Sequence, residues 1–148
     1  MTGTANGYWN TGIRSLIVFA LVAACASISA QPKKAPVPAE LTIAKTIAIV
    51  NETGTQAVLD TATKEFVAWN RYKIVDSKDD ADLMVKFTHK NDIDPLTGFM
   101  GSIEMEVFAK GSSTPVFDAK HFARFIFQPQ LRTKNCVFDF EDRVEGRN

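Results

Sequence analysis

Hydrophobic positions along the middle of the chain follow first a strand pattern and then a helix pattern. Residues 46–50 form an almost uninterrupted apolar run, which predicts a strand that is covered on both faces. Apolar residues then recur at spacings of four, four and three, the repeat of one helix face. This repeat predicts a helix over residues 56–70 that stops at Asn70. Its apolar positions are Val58, Ala62, Phe66 and Trp69.

Strand patterns dominate the second half of the chain. Leu83, Val85 and Phe87 alternate with more polar neighbours, which is the period of a strand with one buried face. The pattern ends with a last helix. It is capped by Thr133 or a neighbour and stops near Gly146. The predicted strand segments after the first helix are 72–76, 82–90, 103–108 and 116–127.

The order of these elements defines the fold class. It reads β-α-β-β-β-β-α, which is typical of an α+β fold. Because consecutive strands joined by short turns usually pair, we predict a single, mostly antiparallel sheet with two helices packed on one face. The order of the strands stays open, since the position of the first strand depends on how its crossover helix packs.

The amino-terminal segment has the pattern of an export signal. Arg14 precedes an apolar run of secretory-leader length over residues 16–24, and small residues follow it. We therefore predict a signal peptide over 1–30 that is cleaved after Ala30. A proline-rich spacer over 31–41 and one α+β domain over 42–146 complete the predicted organisation.

Three alternatives use the same leader. The first is cleavage after Ala26, because Ala24-Cys25-Ala26 also fits the small-x-small rule of signal-peptide cleavage. The string Val-Ala-Ala-Cys that ends at Cys25 has the form of a bacterial lipobox, in which that cysteine is acylated. Alternatively, the leader is retained as an anchor. In each case the pattern predicts an exported protein that is periplasmic or associated with the outer membrane, and that meets a membrane only through its leader or a lipid anchor.

Charge and cysteine content exclude several function classes. The 148 residues carry 17 Lys plus Arg and 17 Asp plus Glu, so the formal net charge is zero. Nucleic-acid binding requires clustered basic residues, so we predict no nucleic-acid partner. Two cysteines are too few for a disulfide framework or a four-cysteine zinc site.

The loop after the first strand is a candidate anion site. Thr53, Gly54 and Thr55 precede a predicted helix, and backbone N–H groups at a helix N-terminus attract anions. The alternative is a hydroxyl cap of the helix, because the further glycines and the lysine of nucleotide-binding loops are missing.

Catalytic and metal-binding patterns are weak. His89 and His121 fall in predicted strands, with Asp118 near the second, but their spacing matches no local zinc motif. Residues 91–94 supply oxygen ligands but do not fit a calcium loop. Cys136 lies on the apolar side of the last helix, where a thiol usually behaves as a small hydrophobe. We predict a protein that is not an enzyme and has no cofactor or metal.

Two groups of apolar residues are candidates for partner binding. Phe99 and Met100 lie in a long hairpin loop, where they either fold back on the core or meet a partner. Phe122 and Ile126 form the second apolar face of the last strand. That face needs cover from the last helix, from a second copy of the chain or from another protein.

A resemblance rests on these features together. The features are the leader, the proline spacer, the strand over 47–51 that opens into a capped helix, residues 72–76 and the Ala-Asp-aliphatic segment over 81–85. In this layout the chain is similar to the small, largely uncharacterised α+β domains of bacterial envelope proteins. The resemblance covers residues 42–145. It implies a periplasmic or lipoprotein module that assembles with other envelope proteins, and it carries over no catalytic residue.

Two functions follow from the sequence. The first is a non-catalytic exported domain with a protein-interaction or assembly role, through self-association or other envelope proteins, using a strand edge, the 91–101 loop or the Phe-rich end. The alternative is a periplasmic carrier of a small apolar ligand or lipid, which predicts a cavity lined by Trp69, Phe87 and Phe125.

Overall fold

A computed structural model of the chain describes residues 36–93, 96, 98, 100–122 and 128–147. Within these residues, five strands form one open mixed sheet, and helices pack against it. The α+β class and the predicted order of the main elements are confirmed, with one short helix added before the first strand. The elements are α1 (Ala39–Ile43), β1 (Thr46–Asn51), α2 (Gln56–Trp69), β2 (Lys73–Ile74), β3 (Leu83–Ile93), β4 (Met100–Ala109), β5 (Pro115–Phe122) and α3 (Pro129–Val144).

The strand order in the sheet is β2-β1-β3-β4-β5. The long ladders β3–β4 and β4–β5 are antiparallel, as the hairpin turns predict. The sheet is nevertheless mixed, because β1 lies between β2 and β3 and runs parallel to both of them. The crossover through α2 joins β1 to β2, since two parallel strands cannot be joined by a tight turn, and residues 75–82 then lead back to the start of β3 on the other side of β1.

The core lies between the sheet and the two long helices. The predicted inward positions of β3 are buried: Leu83, Val85 and Phe87 are at most 1% exposed. The apolar stripe of α2 and the buried face of α3 belong to the same cluster, which places both helices on that face of the sheet. Among the described residues, no helix is both long and apolar enough to span a bilayer.

The ring of Phe140 is the centre of an aromatic cluster in this core. Its centroid lies 5.1 Å from Phe117 in β5, 5.7 Å from Trp69 and 6.2 Å from Phe66 in α2, and 6.1 Å from Tyr72. Aromatic pairs at these separations contribute about 0.5–1.5 kcal/mol each beyond their burial. The cluster therefore joins both long helices to the last strand of the sheet.

The short helix α1 is attached to the core by one side chain and one hydrogen bond. Leu41 is fully buried, and the Tyr72 hydroxyl donates to its carbonyl oxygen at 2.7 Å. Burial raises the pKa of Tyr72 to about 12. Residues that precede Thr42, which the sequence pattern places in the proline-rich spacer, thus contribute to the core.

Asp82 fixes the start of β1 to the start of β3. Its carboxylate accepts hydrogen bonds from the backbone N–H groups of Lys45 at 2.8 Å and Thr46 at 3.0 Å. In return, the Asp82 N–H donates to the Thr46 hydroxyl at 2.9 Å. These hydrogen bonds favour the charged carboxylate and lower the pKa of Asp82. They explain why an aspartate precedes the aliphatic residues of β3.

The helix boundaries agree with the sequence at one place and differ at another. Asn70 ends α2 in a left-handed conformation, with φ of 56°, and its N–H donates to Phe66 O. The prediction that α3 starts near Thr133 is wrong, because the helix begins at Pro129. Thr133 lies inside the helix, buried, with its hydroxyl donating to Pro129 O at 2.8 Å.

Candidate binding surfaces

The strand β5 forms one edge of the described sheet. It spans eight residues and pairs with β4 on one side, so its other side faces away from the sheet. At the opposite edge, β2 spans only two residues. A long edge strand presents a row of backbone donors and acceptors to which a further strand can add.

Side chains of β5 alternate between the two faces of the sheet. Ala119 lies opposite Met105 of the core, so Phe117 and His121 share the face that carries the helices. His121 Nε2 lies 2.8 Å from Asp139 Oδ2 of α3, which links the strand to this helix. Asp118 and Lys120 lie on the opposite face and are exposed.

The sheet face opposite the long helices is covered by charged side chains. Lys86 Nζ lies 2.7 Å from Glu106 Oε2, and it also lies 5.1 Å from the ring centroid of Phe108. The hydrogen bond with Glu106 raises the pKa of Lys86. Similarly, Lys120 Nζ lies 5.0 Å from the centroid of Phe122, a predicted partner-binding residue that is partly buried. Lysine side chains therefore lie over the aromatic rings of this face, between the rings and the solvent.

The tip of the β3–β4 hairpin carries exposed apolar residues. Ile93 is 63% exposed and Leu96 is 94% exposed, although the sequence pattern did not select either of them. Of the residues that it did select, Phe99 lies outside the described residues, and Met100 is the first residue of β4.

Several further predictions also fall outside the described residues. Ile126 lies in the undescribed segment 123–127, and Cys25 lies in the undescribed segment 1–35. The signal peptide, its cleavage after Ala30 and the acylation of Cys25 therefore stay predictions.

Hydrogen bonds to Asn51 and within the loop hold the candidate anion-binding loop, residues 53–55, in place. The N–H and the hydroxyl of Thr53 both donate to Asn51 Oδ1, at 3.1 and 2.6 Å. The N–H of Thr55 donates to the Thr53 hydroxyl at 3.2 Å, and the Asn51 amide donates to Thr55 O at 3.0 Å. Gly54 adopts a positive φ of 72°, which glycine tolerates. The anion site stays a prediction in which two of its N–H donors are already engaged.

Cys136 is embedded between α3 and the sheet. Its Sγ lies 3.7 Å from Ile103 O and 3.9 Å from Ala119 O, and the residue is fully buried. Burial raises the pKa of the thiol to about 12, and the nearby charge of Asp139 adds to this effect. The thiol is consequently protonated at neutral pH, whereas a cysteine nucleophile reacts as the thiolate.

The other candidate groups do not converge. Asp118 and His121 point to opposite faces of β5. His89 lies on β3 and is exposed. Across the part of the chain that the structure describes, no group of three or more His, Cys, Asp or Glu residues could hold a metal ion.

Three of the surface grooves on the described residues have volumes of several hundred Å³. Grooves of about 310 and 410 Å³ lie around Ala109 and Lys110, at the end of β4. A third, of about 600 Å³, lies between α2 and β2. Trp69 and Phe87, predicted to line a ligand cavity, line none of the three, and Phe125 lies outside the described residues. The third groove is lined by Ile49, Leu59, Asp60, Thr63, Lys64, Ile74, Val75 and Asp76.

Comparison with known proteins gives likeness of fold only. No family model matches this sequence, and no curated protein matches it significantly. Structures with a similar fold include bacterial lipoproteins.

A minor lipoprotein from Acinetobacter baumannii is 7% identical, covers 70% of this chain and 94% of its own, and has a TM-score of 0.43. The rare lipoprotein B from Shewanella oneidensis is 13% identical, with coverages of 69% and 87% and a TM-score of 0.33. A PelC dodecamer from Paraburkholderia phytofirmans is 10% identical, with coverages of 70% and 88% and a TM-score of 0.44.

Proposed function

We propose that this protein is a non-catalytic, exported domain of the bacterial envelope that binds another protein chain by strand addition at β5. The observation that carries this proposal is the eight-residue edge of β5, on which Asp118 and Lys120 are exposed. The leader pattern of residues 1–30 supports export.

Strand addition is favoured at an edge strand whose conformation is already fixed. The ring of Phe117 packs 5.1 Å from that of Phe140, and His121 pairs with Asp139 of α3. The inward side chains on either side of Ala119 are therefore both fixed by this helix. A preorganised strand loses little conformational entropy when a partner binds, so more of the backbone hydrogen-bond energy contributes to affinity.

The placement of reactive groups supports a non-catalytic role. The thiol of Cys136 is protonated and buried. His121 and Asp118 lie on different faces of β5, so they cannot act together on one substrate. Protein binding through a backbone edge requires none of these groups.

Photo-crosslinking in living cells tests the proposal. A photoreactive phenylalanine analogue is introduced in place of Phe122, the last residue of β5, or of Lys134, an exposed residue of α3 that serves as the control. We expect discrete crosslinked adducts from position 122 and not from position 134. Equal adducts at both positions, or none at position 122, would contradict strand addition at this edge.

A further inference from the structure

We infer that the chain added at β5 is a second copy of this protein, paired antiparallel about a twofold axis that passes beside Ala119. This inference rests on the proposed function, because it names the partner of the same edge. It is carried by the order of charges along β5, where Asp118 and Lys120 flank Ala119 on one face of the sheet.

Twofold symmetry restricts how the strand can pair with its copy. When Ala119 lies opposite Ala119 of the second copy, Asp118 lies opposite Lys120 of that copy, and Lys120 lies opposite its Asp118. Directly opposed side chains have Cβ atoms about 4.5–5.5 Å apart, which is within reach of an ion pair. Twofold pairings centred on Asp118 or Lys120 instead place like charges opposite each other.

The neighbours of Asp118 within its own chain favour this partner. In the β4–β5 ladder Asp118 lies opposite Glu106, a like charge, whereas Lys120 already lies opposite an acid, Glu104. Lys86 pairs with Glu106 at 2.7 Å, from the far side of β4. A second copy would supply a base, Lys120, on the other side of Asp118. The pairing thus places a base beside Asp118, which has an acid opposite it in the isolated chain.

The remaining contacts of this pairing are compatible with a close approach. The small side chain of Ala119 lies at the axis, so the two strands meet without a steric clash. On the face that carries the helices, Phe117 of each copy lies opposite His121 of the other, which is a cross-strand aromatic pair. The two sheets then continue into one another, with the helices of both copies on the same face.

The same charges disfavour the addition of strands that have a different order of charges. A lysine on an edge strand normally prevents association, because it opposes charges or buries its own. Here the added strand places a base beside Asp118 only when it carries the complementary order at the same spacing. A strand that places an acid there adds a like charge beside Asp118 and Glu106, so the charge order favours the protein's own copy.

Reversal of single charges tests the pairing. In Asp118→Lys both positions are basic, and in Lys120→Asp both are acidic, so each variant repels its own copy. Sedimentation velocity of the purified protein should show dimers for the wild type. For each variant the dissociation constant of the dimer should rise by on the order of tenfold to a hundredfold.

Two controls separate the pairing from general effects of charge. The double variant, Asp118→Lys with Lys120→Asp, has the wild-type composition and restores complementarity, so it should dimerise like the wild type. An equimolar mixture of the two single variants should form mixed dimers. Circular dichroism of all variants should match the wild type, since both side chains are exposed.

The outcomes distinguish the inference from the proposed function. A wild-type protein that is monomeric at concentrations on the order of 100 μM, or single variants that dimerise as tightly as the wild type, would overturn the inference. If position 122 then crosslinks to a different protein in cells, the proposed function stands and its partner is not a copy. If position 122 gives no adduct in cells, both are overturned.

Discussion

Two nearby phenylalanines in α3 show how position determines the energetic role of a residue. Phe140 is fully buried and contacts aromatic rings from α2 and β5, whereas Phe138 is 55% exposed. The two residues have the same helix propensity and the same side chain. Their difference in burial therefore predicts their difference in stability.

Phe140→Ala should lower the free energy of unfolding by about 3–5 kcal/mol, because it removes a large buried ring and leaves a cavity. Phe138→Ala is the matched control, and its effect should stay within about 1 kcal/mol. Urea denaturation followed by circular dichroism measures both. Similar losses for the two variants would show that the aromatic cluster does not stabilise the fold.

The buried side chains of Cys136 and Tyr72 predict a loss of stability at alkaline pH. Unfolded cysteine and tyrosine lose their protons near pH 9.0 and 10.0, whereas burial raises the pKa of both Cys136 and Tyr72 to about 12 in the folded protein. Between these values the unfolded state binds fewer protons than the folded state. The free energy of unfolding should therefore fall as the pH rises from about 9 to 12.

Tyr72→Phe tests the tyrosine contribution. The variant removes the hydrogen bond to Leu41 O, so it should be less stable at pH 7 by about 1 kcal/mol. It should also lose stability less steeply than the wild type between pH 10 and 12. Urea denaturation at several pH values measures both effects, and parallel curves for the two proteins would contradict this role of Tyr72.

At the scale of elements, α1 shows that a five-residue helix can belong to the core. Leu41→Ala should lower the free energy of unfolding by about 2–5 kcal/mol, because Leu41 is fully buried. Ile43→Ala is the matched control in the same helix, and it should change stability little because Ile43 is 74% exposed. Equal effects in urea denaturation would show that α1 is not docked in solution.

Long periodic elements could be predicted from the sequence, and short or non-local ones could not. The stripe from Val58 to Trp69 and the alternation from Leu83 to Phe87 each repeat several times, so they predict both the element and its buried face. In contrast, α1 buries only Leu41 and offers no repeat. The start of α3 was misplaced because Thr133 resembles a cap, although Pro129 at the first turn is itself a start signal.

The candidate binding surface was predicted less completely than the fold. A strand edge was expected, but the strand order that makes β5 an edge depends on β1 entering between β2 and β3. That arrangement requires partners far apart in sequence, which a local pattern does not contain. The alternation of Asp118 and Lys120 was visible in the sequence, but its meaning depends on the edge position of β5.

At the scale of the whole molecule, the leader pattern predicts the residue with which the mature protein begins. Removal of residues 1–30 leaves Gln31 as the first residue. Intact mass spectrometry of the protein purified from its source cells should give the mass of a chain that starts there. A mass that includes acylated Cys25, or the full leader, would contradict cleavage after Ala30.

The position of β1 in the sheet also affects the time at which the protein can fold. Although β1 precedes every other strand in the chain, its long ladder is with β3, and Thr46 is joined to Asp82, 36 residues later. During synthesis, β1 therefore leaves the ribosome well before its main partner exists. The long ladder of β1 therefore cannot form until residues 83–87 have been synthesised, so completion of this part of the sheet waits for β3.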